Sequence, residues 1–261
     1  LFPYTTLFRS IPTTAKILMQ SLAVTDLSSG FFTHPLYIAV VARIRQSHEC
    51  KHVQEVLMAF FVISAVLVFV SFQVVTLIGI DRFLSITLHL RYNQLVTPKR
   101  IIAVVASAWV FTLSIVFVGV FIEIRVGEIV LLVLGYAGML SLCIVNFKVY
   151  SVARRHQAII QSQAQVTAHH LSNTTNSARN VNLAFKVLYV FLVFLFCNLP
   201  YWIILTVLLI SGPNVVLQGT IQFSTVLVML NSSLNPVVFG LKMKEIRQII
   251  KRELKMLFHS T

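Results

Sequence analysis

Three long stretches of this sequence contain no charged side chain. Residues 56–80, 101–122 and 187–241 are uncharged and mostly apolar. A helix of about 20 apolar residues crosses the hydrocarbon core of a bilayer and satisfies its backbone hydrogen bonds internally. With 57% hydrophobic and only 11% charged residues, the chain is far from the composition of a soluble domain. The sequence therefore predicts an all-α, polytopic transmembrane helix bundle.

Hydropathy divides the chain into six predicted spans and a tail. The spans cover approximately residues 17–41, 55–80, 101–122, 128–150, 186–210 and 217–241. The polar segment 151–180 is predicted to be a long flexible loop. Residues 242–261 place apolar side chains at helical spacing between basic ones, which predicts an amphipathic helix and a short tail on the cytoplasmic membrane face.

The basic residues are concentrated in alternate connections between the spans. The chain carries 21 Lys and Arg against 8 Asp and Glu, and most of the basic side chains follow residues 80, 150 and 241. By the positive-inside rule these segments are cytoplasmic. The net charge of +13 is then explained by membrane orientation and attraction to lipid headgroups, so the lipid bilayer is an expected partner and nucleic acid is not.

We interpret the first ten residues as a segment that does not belong to the natural protein. Residues 1–10 match the in-frame translation of a common sequencing adapter and are predicted to be an artefact. We therefore expect the membrane domain to cover residues 11–241. We also expect at least one span of the natural protein to lie upstream, so that the six spans belong to a probable seven.

Several polar side chains lie deep within predicted spans, where an ionisable group costs about 2.5 kcal/mol or more. Asp26 is the only carboxylate deep in any span, Ser71 lies midway along the second, and Asn231, Ser232 and Asn235 lie on the last. Carboxylate, amide and hydroxyl oxygens are ligands for hard cations, and one negative charge suits sodium better than calcium. These residues are a candidate sodium site, and no other cofactor is expected. The alternative is a hydrogen-bonded acid that joins helices.

A charged motif at the end of the second span and two prolines within later spans are also candidate functional features. Asp81-Arg82-Phe83 ends the second span. This motif is either an interfacial anchor or, once Asp81 releases Arg82, a set of five donors for the backbone carbonyls of a partner. Pro200 and Pro236 each remove a backbone hydrogen bond and predict a kink, which is either inert or a hinge.

Taken in order, these motifs resemble those of the class A (rhodopsin-like) G-protein-coupled receptors. The family has seven helices, and the six spans resemble its second to seventh. The resemblance covers nearly everything from Ile11 to the C-terminus. The matching segments are Leu22-Ala23-Val24-Thr25-Asp26, Asp81-Arg82-Phe83 with Leu90-Arg91-Tyr92, Trp109, Phe194 with Cys197 and Pro200, and Asn235-Pro236-Val237-Val238-Phe239.

The resemblance implies a function and a set of roles. It implies a multi-pass plasma-membrane receptor, not an enzyme, that binds an extracellular ligand and activates a heterotrimeric G protein. Asp81, Arg82 and Phe83 would couple to the G protein, and sodium at the Asp26 site would favour the inactive state. The implied conformational switch consists of Phe194, Cys197, Asn198, Pro200, Asn235, Pro236 and Phe239.

The sequence also departs from the family pattern. Asn198 occupies the position where the family usually has a tryptophan, and Gly138 occupies that of a proline. Asn146 and Phe239 occupy two positions where the family usually has tyrosines. The usual outer disulfide is not expected either. The short outer loop without cysteine is loosely similar to that of melanocortin and lysophospholipid-type receptors.

The outer halves of the spans indicate only the general character of a ligand. Ser64 occupies the position where amine receptors carry an aspartate, so a biogenic amine is not expected. His34, Phe61, Ser64 and Trp202 are candidate ligand-binding residues, and together they favour an apolar or weakly polar ligand. The alternative function is a six-span cation transporter or channel that uses Asp26 and the Asn and Ser cluster.

Overall fold

The computed structural model describes residues 12–46, 50–88, 91–121, 124–166, 171–212 and 214–242. Within these ranges the chain is helical and contains no strand, so the all-α prediction is confirmed. The elements are α1 (Thr13–Ser28), a π-helical turn (Ser29–Thr33), α2 (His34–Gln46), α3 (Cys50–Thr87), α4 (Tyr92–Leu95), α5 (Pro98–Phe121), α6 (Ile124–Val166), α7 (Leu171–Ser211) and α8 (Val215–Lys242).

Five helical segments in the described ranges are long and apolar enough to cross a membrane. The first predicted span is also helical throughout, but the π-helical turn divides it into α1 and α2, which are each shorter. The polytopic bundle predicted from hydropathy is therefore confirmed. The five segments are Gln54–Thr87, Pro98–Gly119, Gly127–Ile159, Leu188–Ser211 and Val215–Asn235.

The predicted loop over residues 151–180 is wrong. α6 continues to Val166 and α7 begins at Leu171. Ala, Arg and Gln, which are frequent in the first half of this segment, are good helix formers whether or not they are buried, so α6 extends beyond the apolar stretch. The predicted artefact at residues 1–10 and nearly all of the predicted tail at 242–261 lie outside the described residues.

Local capping explains where two helices begin and one ends. Thr97 Oγ1 accepts the Arg100 N–H at 3.4 Å at the start of α5, and Pro98 takes the first helical position. Asn214 Oδ1 accepts the Leu217 N–H at 2.8 Å at the start of α8. Gly212, with φ of 75°, follows the end of α7 in a left-handed conformation that glycine adopts without strain.

Helix α3 lies at the centre of the bundle. It packs against α1, α2, α5, α6 and α7, whereas α8 packs against α7 and α1. Val70, Val74 and Val75 of α3 are fully enclosed in the main apolar core. Large apolar side chains on the outer surface, such as Phe117 and Phe196, are exposed as expected for contact with lipid.

Candidate functional site

A cavity of about 130 Å³ lies between the π-helical turn, α3, α6, α7 and α8. Phe61, Ser64 and Trp202 line this cavity, as three of the four candidate ligand-binding residues. The fourth, His34, is not among the lining residues, and its Nδ1 lies 3.0 Å from the Ser29 carbonyl oxygen. The structure brings three of the candidates together, and their role in ligand binding stays a prediction.

The Trp202 indole is packed tightly against α6. The side chain is only 4% exposed, and a Cβ added at Gly135 would fall 2.3 Å from its Cη2. Its ring centroid lies 6.0, 6.4 and 6.3 Å from those of Phe69, Phe72 and Tyr136. Glycine at position 135 therefore makes room for the indole, whose Nε1 has no hydrogen-bond partner among the described residues.

Aromatic packing continues from Trp202 towards the middle of α3. The Phe72 and Phe194 rings meet edge to face, with centroids 4.8 Å apart. Asn198 donates from Nδ2 to the Phe194 carbonyl at 2.8 Å, so its amide is bonded to its own helix. The buried indole of this chain thus belongs to Trp202, one turn beyond the position where the family usually carries a tryptophan.

The other candidate switch residues lie on α7 and α8. Cys197 is a buried free thiol. α7 continues through Pro200, so this proline does not end the helix. Pro236 and Phe239 lie in α8, but their side chains lie outside the described part of the chain. The switching roles of all four stay predictions.

Asp26 and Asn235 connect the first and last helices inside the bundle. Asn235 Nδ2 lies 3.0 Å from Asp26 Oδ2 and 3.2 Å from Oδ1. The Ser71 hydroxyl donates to Thr25 Oγ1 at 3.3 Å, in the residue next to Asp26. The structure therefore brings these predicted site residues of three helices to one level, although Ser71 is bonded to Thr25 and not to the carboxylate.

The remaining candidate sodium ligands line the cavity next to this contact. Asn231, Ser232 and Ser71 all contribute to its wall. The Oδ1 atoms of Asn231 and Asn235 are buried and have no hydrogen-bond partner in the described part of the chain. Oxygens of this kind beside a carboxylate are the donors that a hard cation prefers. The donor set fits sodium, and the assignment stays a prediction.

A chain of polar contacts holds Arg82 at the cytoplasmic end of α3. Arg82 and Asp81 form a buried ion pair. Tyr92 of α4 donates to Asp81 Oδ1 at 2.5 Å, and its hydroxyl lies 2.8 Å from Thr14 Oγ1 of α1. Phe83 packs against the apolar cluster between the inner ends of α3 and α6. The motif is therefore fixed by contacts from a loop helix and two neighbouring helices.

The protonation of Tyr92 follows from its surroundings. Burial, followed by the negative charge of Asp81, raises the pKa of Tyr92 above its ordinary value of 10. The hydroxyl therefore remains protonated at neutral pH and is able to donate to the carboxylate. The Asp81 carboxylate is therefore bonded both to Arg82 and to the Tyr92 hydroxyl.

Two buried polar atoms near Arg82 have no partner within the described residues. They are Nη1 of Arg82 and Oδ1 of Asn146, the residue on α6 at the usual tyrosine position. Asn146 Nδ2 donates to the Leu142 carbonyl at 2.9 Å. α6 approaches closely at this level, because a Cβ at Gly79 would lie 2.8 Å from Val145 Cγ1. An acceptor on α6 is thus available one turn from the arginine.

Sequence reasoning missed three contributions to these sites: Glu128, Gly135 and the contact between Thr14 and Tyr92. Glu128 was expected at the edge of an outer loop, but it lines the cavity. Glu128 and Gly135 are seven residues apart and therefore lie on one helix face, so the sequence contained a pattern from which their common orientation could have been predicted. The Thr14 to Tyr92 contact joins distant positions, and no local pattern indicates it.

Several known receptors are similar in sequence to this chain. The family model described as 7 transmembrane receptor (rhodopsin family) matches residues 4–128. Melanocortin receptor 5 of Mus musculus is 24% identical over 207 residues, which are 77% of this chain and 60% of that receptor. Histamine H2 receptor of Cavia porcellus is 23% identical over 264 residues, 92% of this chain and 70% of that receptor. Cannabinoid receptor 1 of Xenopus laevis is 22% identical over 197 residues, 66% of this chain and 42% of that receptor.

The helical bundle, the ordered motifs and these matches agree. The chain is similar to the rhodopsin family of seven-transmembrane receptors, class A of the G-protein-coupled receptors, whose family model matches its N-terminal half. It is accordingly a multi-pass plasma-membrane protein. Melanocortin receptors are among its relatives, as the short outer loop indicated, and the chain spans about 60% of the length of the mouse receptor.

Proposed function

We propose that this chain is a receptor that binds an extracellular ligand in the cavity and activates a heterotrimeric G protein at its cytoplasmic face. In this proposal it catalyses no covalent chemistry and acts by binding the G protein. The observation that carries the proposal is Arg82, which is buried at the cytoplasmic end of the central helix and paired with its own neighbour Asp81. An arginine in that place holds donors that a partner can use once the pair opens.

The central helix connects the cavity to this arginine. Phe72, which packs on Phe194 and Trp202, and Arg82 lie on the same helix, separated by about 15 Å along its axis. A ligand that presses on Trp202 changes the packing between α3 and α7, because closely packed side chains do not yield continuously. A relative movement of these helices alters the surroundings of Arg82.

The cytoplasmic step is a change of hydrogen-bond partners. Arg82 leaves Asp81 and donates to backbone carbonyls of the G protein, while Oδ1 of Asn146 is available to accept from Nη1. Tyr92 retains Asp81 in the loop. Asp26, Asn231 and Asn235 would hold a sodium ion, and its binding would oppose the change by stabilising the arrangement in which α1 and α8 meet.

The proposal is tested by guanine-nucleotide exchange on purified G protein with the chain in lipid nanodiscs. Arg82→Ala removes charge-assisted hydrogen bonds and is expected to lower the exchange rate at least about tenfold. Arg43→Ala serves as the matched control, because this exposed arginine lies at the opposite end of the bundle. Full exchange by Arg82→Ala would contradict the mechanism. Sodium flux through the reconstituted chain without G protein would favour the transporter alternative.

A further inference from the structure

Glu128 is the one charged side chain that lines the cavity among the described residues. It lies near the start of α6, at the outer end of a helix that crosses the membrane. Phe61, Tyr201 and Trp202 contribute aromatic rings to the same cavity wall. A single anion thus stands among several aromatic rings.

Glu128 and Trp202 lie at different depths in the cavity. Glu128, Leu131 and Gly135 follow each other along one face of α6, and the Gly135 backbone meets the Trp202 indole. The rise of a helix places Glu128 about 10 Å outward from Gly135. The carboxylate therefore stands at the outer part of the cavity, and the Trp202 indole at the inner part.

A neutral ligand is a poor match for this cavity. When it displaced water it would leave the Glu128 carboxylate without a solvating group, which is costly for a charge. An organic ammonium supplies the opposite charge, and aromatic faces add a cation–π attraction. A ligand ammonium would compete with Arg125 for the Glu128 carboxylate, because Arg125 lies one turn earlier on the same helix. The Arg125 side chain lies outside the described part of the chain.

We propose that the ligand is an organic ammonium with an aromatic body, whose cation pairs with Glu128 and whose ring packs against Trp202. The inference rests on the proposed receptor function and names the ligand class of its cavity. It reverses the expectation drawn from Ser64, because the anion stands on α6 instead of α3.

The chain offers a direct optical test. It contains two tryptophans, so Trp109→Phe leaves Trp202 as the only indole. This variant, in nanodiscs, is titrated with 2-phenylethylamine and with its neutral analogue 2-phenylethanol. We expect the amine to change the Trp202 fluorescence saturably below about 1 mM. The alcohol should bind at least about tenfold more weakly, because it forms no ion pair.

Substitutions at Glu128 separate charge from shape. Glu128→Gln should weaken amine binding about tenfold or more and leave the alcohol unchanged. Glu128→Asp retains the charge and should preserve the preference for the amine, which keeps the test decisive if the glutamine variant folds poorly. Glu55→Gln is the matched control, since Glu55 is an exposed carboxylate on α3 near its outer end and does not line the cavity.

Equal affinities for amine and alcohol would overturn the inference, as would an amine affinity that does not depend on Glu128. No saturable response to the amine up to about 1 mM would overturn it as well. Nucleotide exchange, measured separately, distinguishes the two proposals. Glu128-dependent binding without exchange would contradict the receptor function alone, whereas exchange without such binding would contradict the ligand class alone.

Discussion

The two ends of this helix bundle differ in how their buried polar side chains are hydrogen-bonded. At the cytoplasmic end, Arg82, Asp81, Tyr92 and Thr14 bond to one another across α1, α3 and α4. In the outer cavity, Nε1 of Trp202 is enclosed by apolar side chains and has no hydrogen-bond partner among the described residues. The inner cluster is therefore joined by polar contacts, although Arg82 Nη1 has no partner among the described residues, whereas the Trp202 indole is held by packing alone.

This difference indicates which end responds first. Polar contacts hold their members in fixed positions, whereas the Trp202 indole is positioned by packing alone. A ligand in the cavity contacts this indole, and its binding free energy is then available to disturb the packing between α3 and α7. The Asp26–Asn235 contact lies between the two ends and joins α1 to α8.

Gly135→Ala should have the largest effect of three changes that bear on this comparison. The added methyl would lie 2.3 Å from the Trp202 ring, so the indole must move, at an expected cost of about 1–3 kcal/mol. Thermal unfolding in nanodiscs measures the loss. Gly219→Ala is the matched control on α8, where a Cβ meets nothing within 4 Å. Equal melting temperatures for the two variants would refute tight packing at the outer end.

Tyr92→Phe tests whether the inner network holds the resting state. It removes the hydrogen bond to Asp81, which is worth about 1.5 kcal/mol when the acceptor is charged. Basal nucleotide exchange should rise up to about tenfold, because the pair with Arg82 opens more easily. Thr14→Val, which removes only the second contact of the Tyr92 hydroxyl, should act more weakly. A basal rate unaffected by Tyr92→Phe would speak against the network as a lock.

Asp26→Asn should have the smallest effect and tests the level between the two ends. Sodium at about five times its dissociation constant stabilises the native state by about 1 kcal/mol. The original chain should therefore melt at a higher temperature in sodium chloride than in potassium chloride, and the variant should lose this difference. Sodium-specific stabilisation that persists without the carboxylate would exclude Asp26 from the site.

Much of the fold could be predicted from local sequence. The uncharged stretches define spans because a charge in hydrocarbon is costly, and this holds wherever the helix packs. The extent of the helices past the membrane was not predicted, since polar residues after residue 150 support a helix as well as a loop. Asp26 and Asn235 were grouped into one candidate site by the chemistry of their side chains, but no local pattern shows their contact, because they are separated by most of the chain.

The candidate site divides in the same way. Asp81 and Arg82 are adjacent in sequence, so their pairing is a local property, whereas the contacts of Tyr92 with Asp81 and Thr14 need the loop to fold back. In the sequence, Ser64 and Asn198 mark departures from the family pattern. They did not reveal what replaces the missing groups, since Glu128 and Trp202 lie elsewhere on the cavity wall.

The sequence by itself determined that this chain crosses a membrane as helices, and it predicted which end is cytoplasmic and which polar residues have a function. These conclusions follow from transfer free energies, which depend on composition and spacing. Only the tertiary structure decided that Gly135 receives the Trp202 indole and that Glu128 faces the cavity. Those facts depend on how helices are rotated and packed against each other, and close packing between distant segments is not encoded in any local pattern.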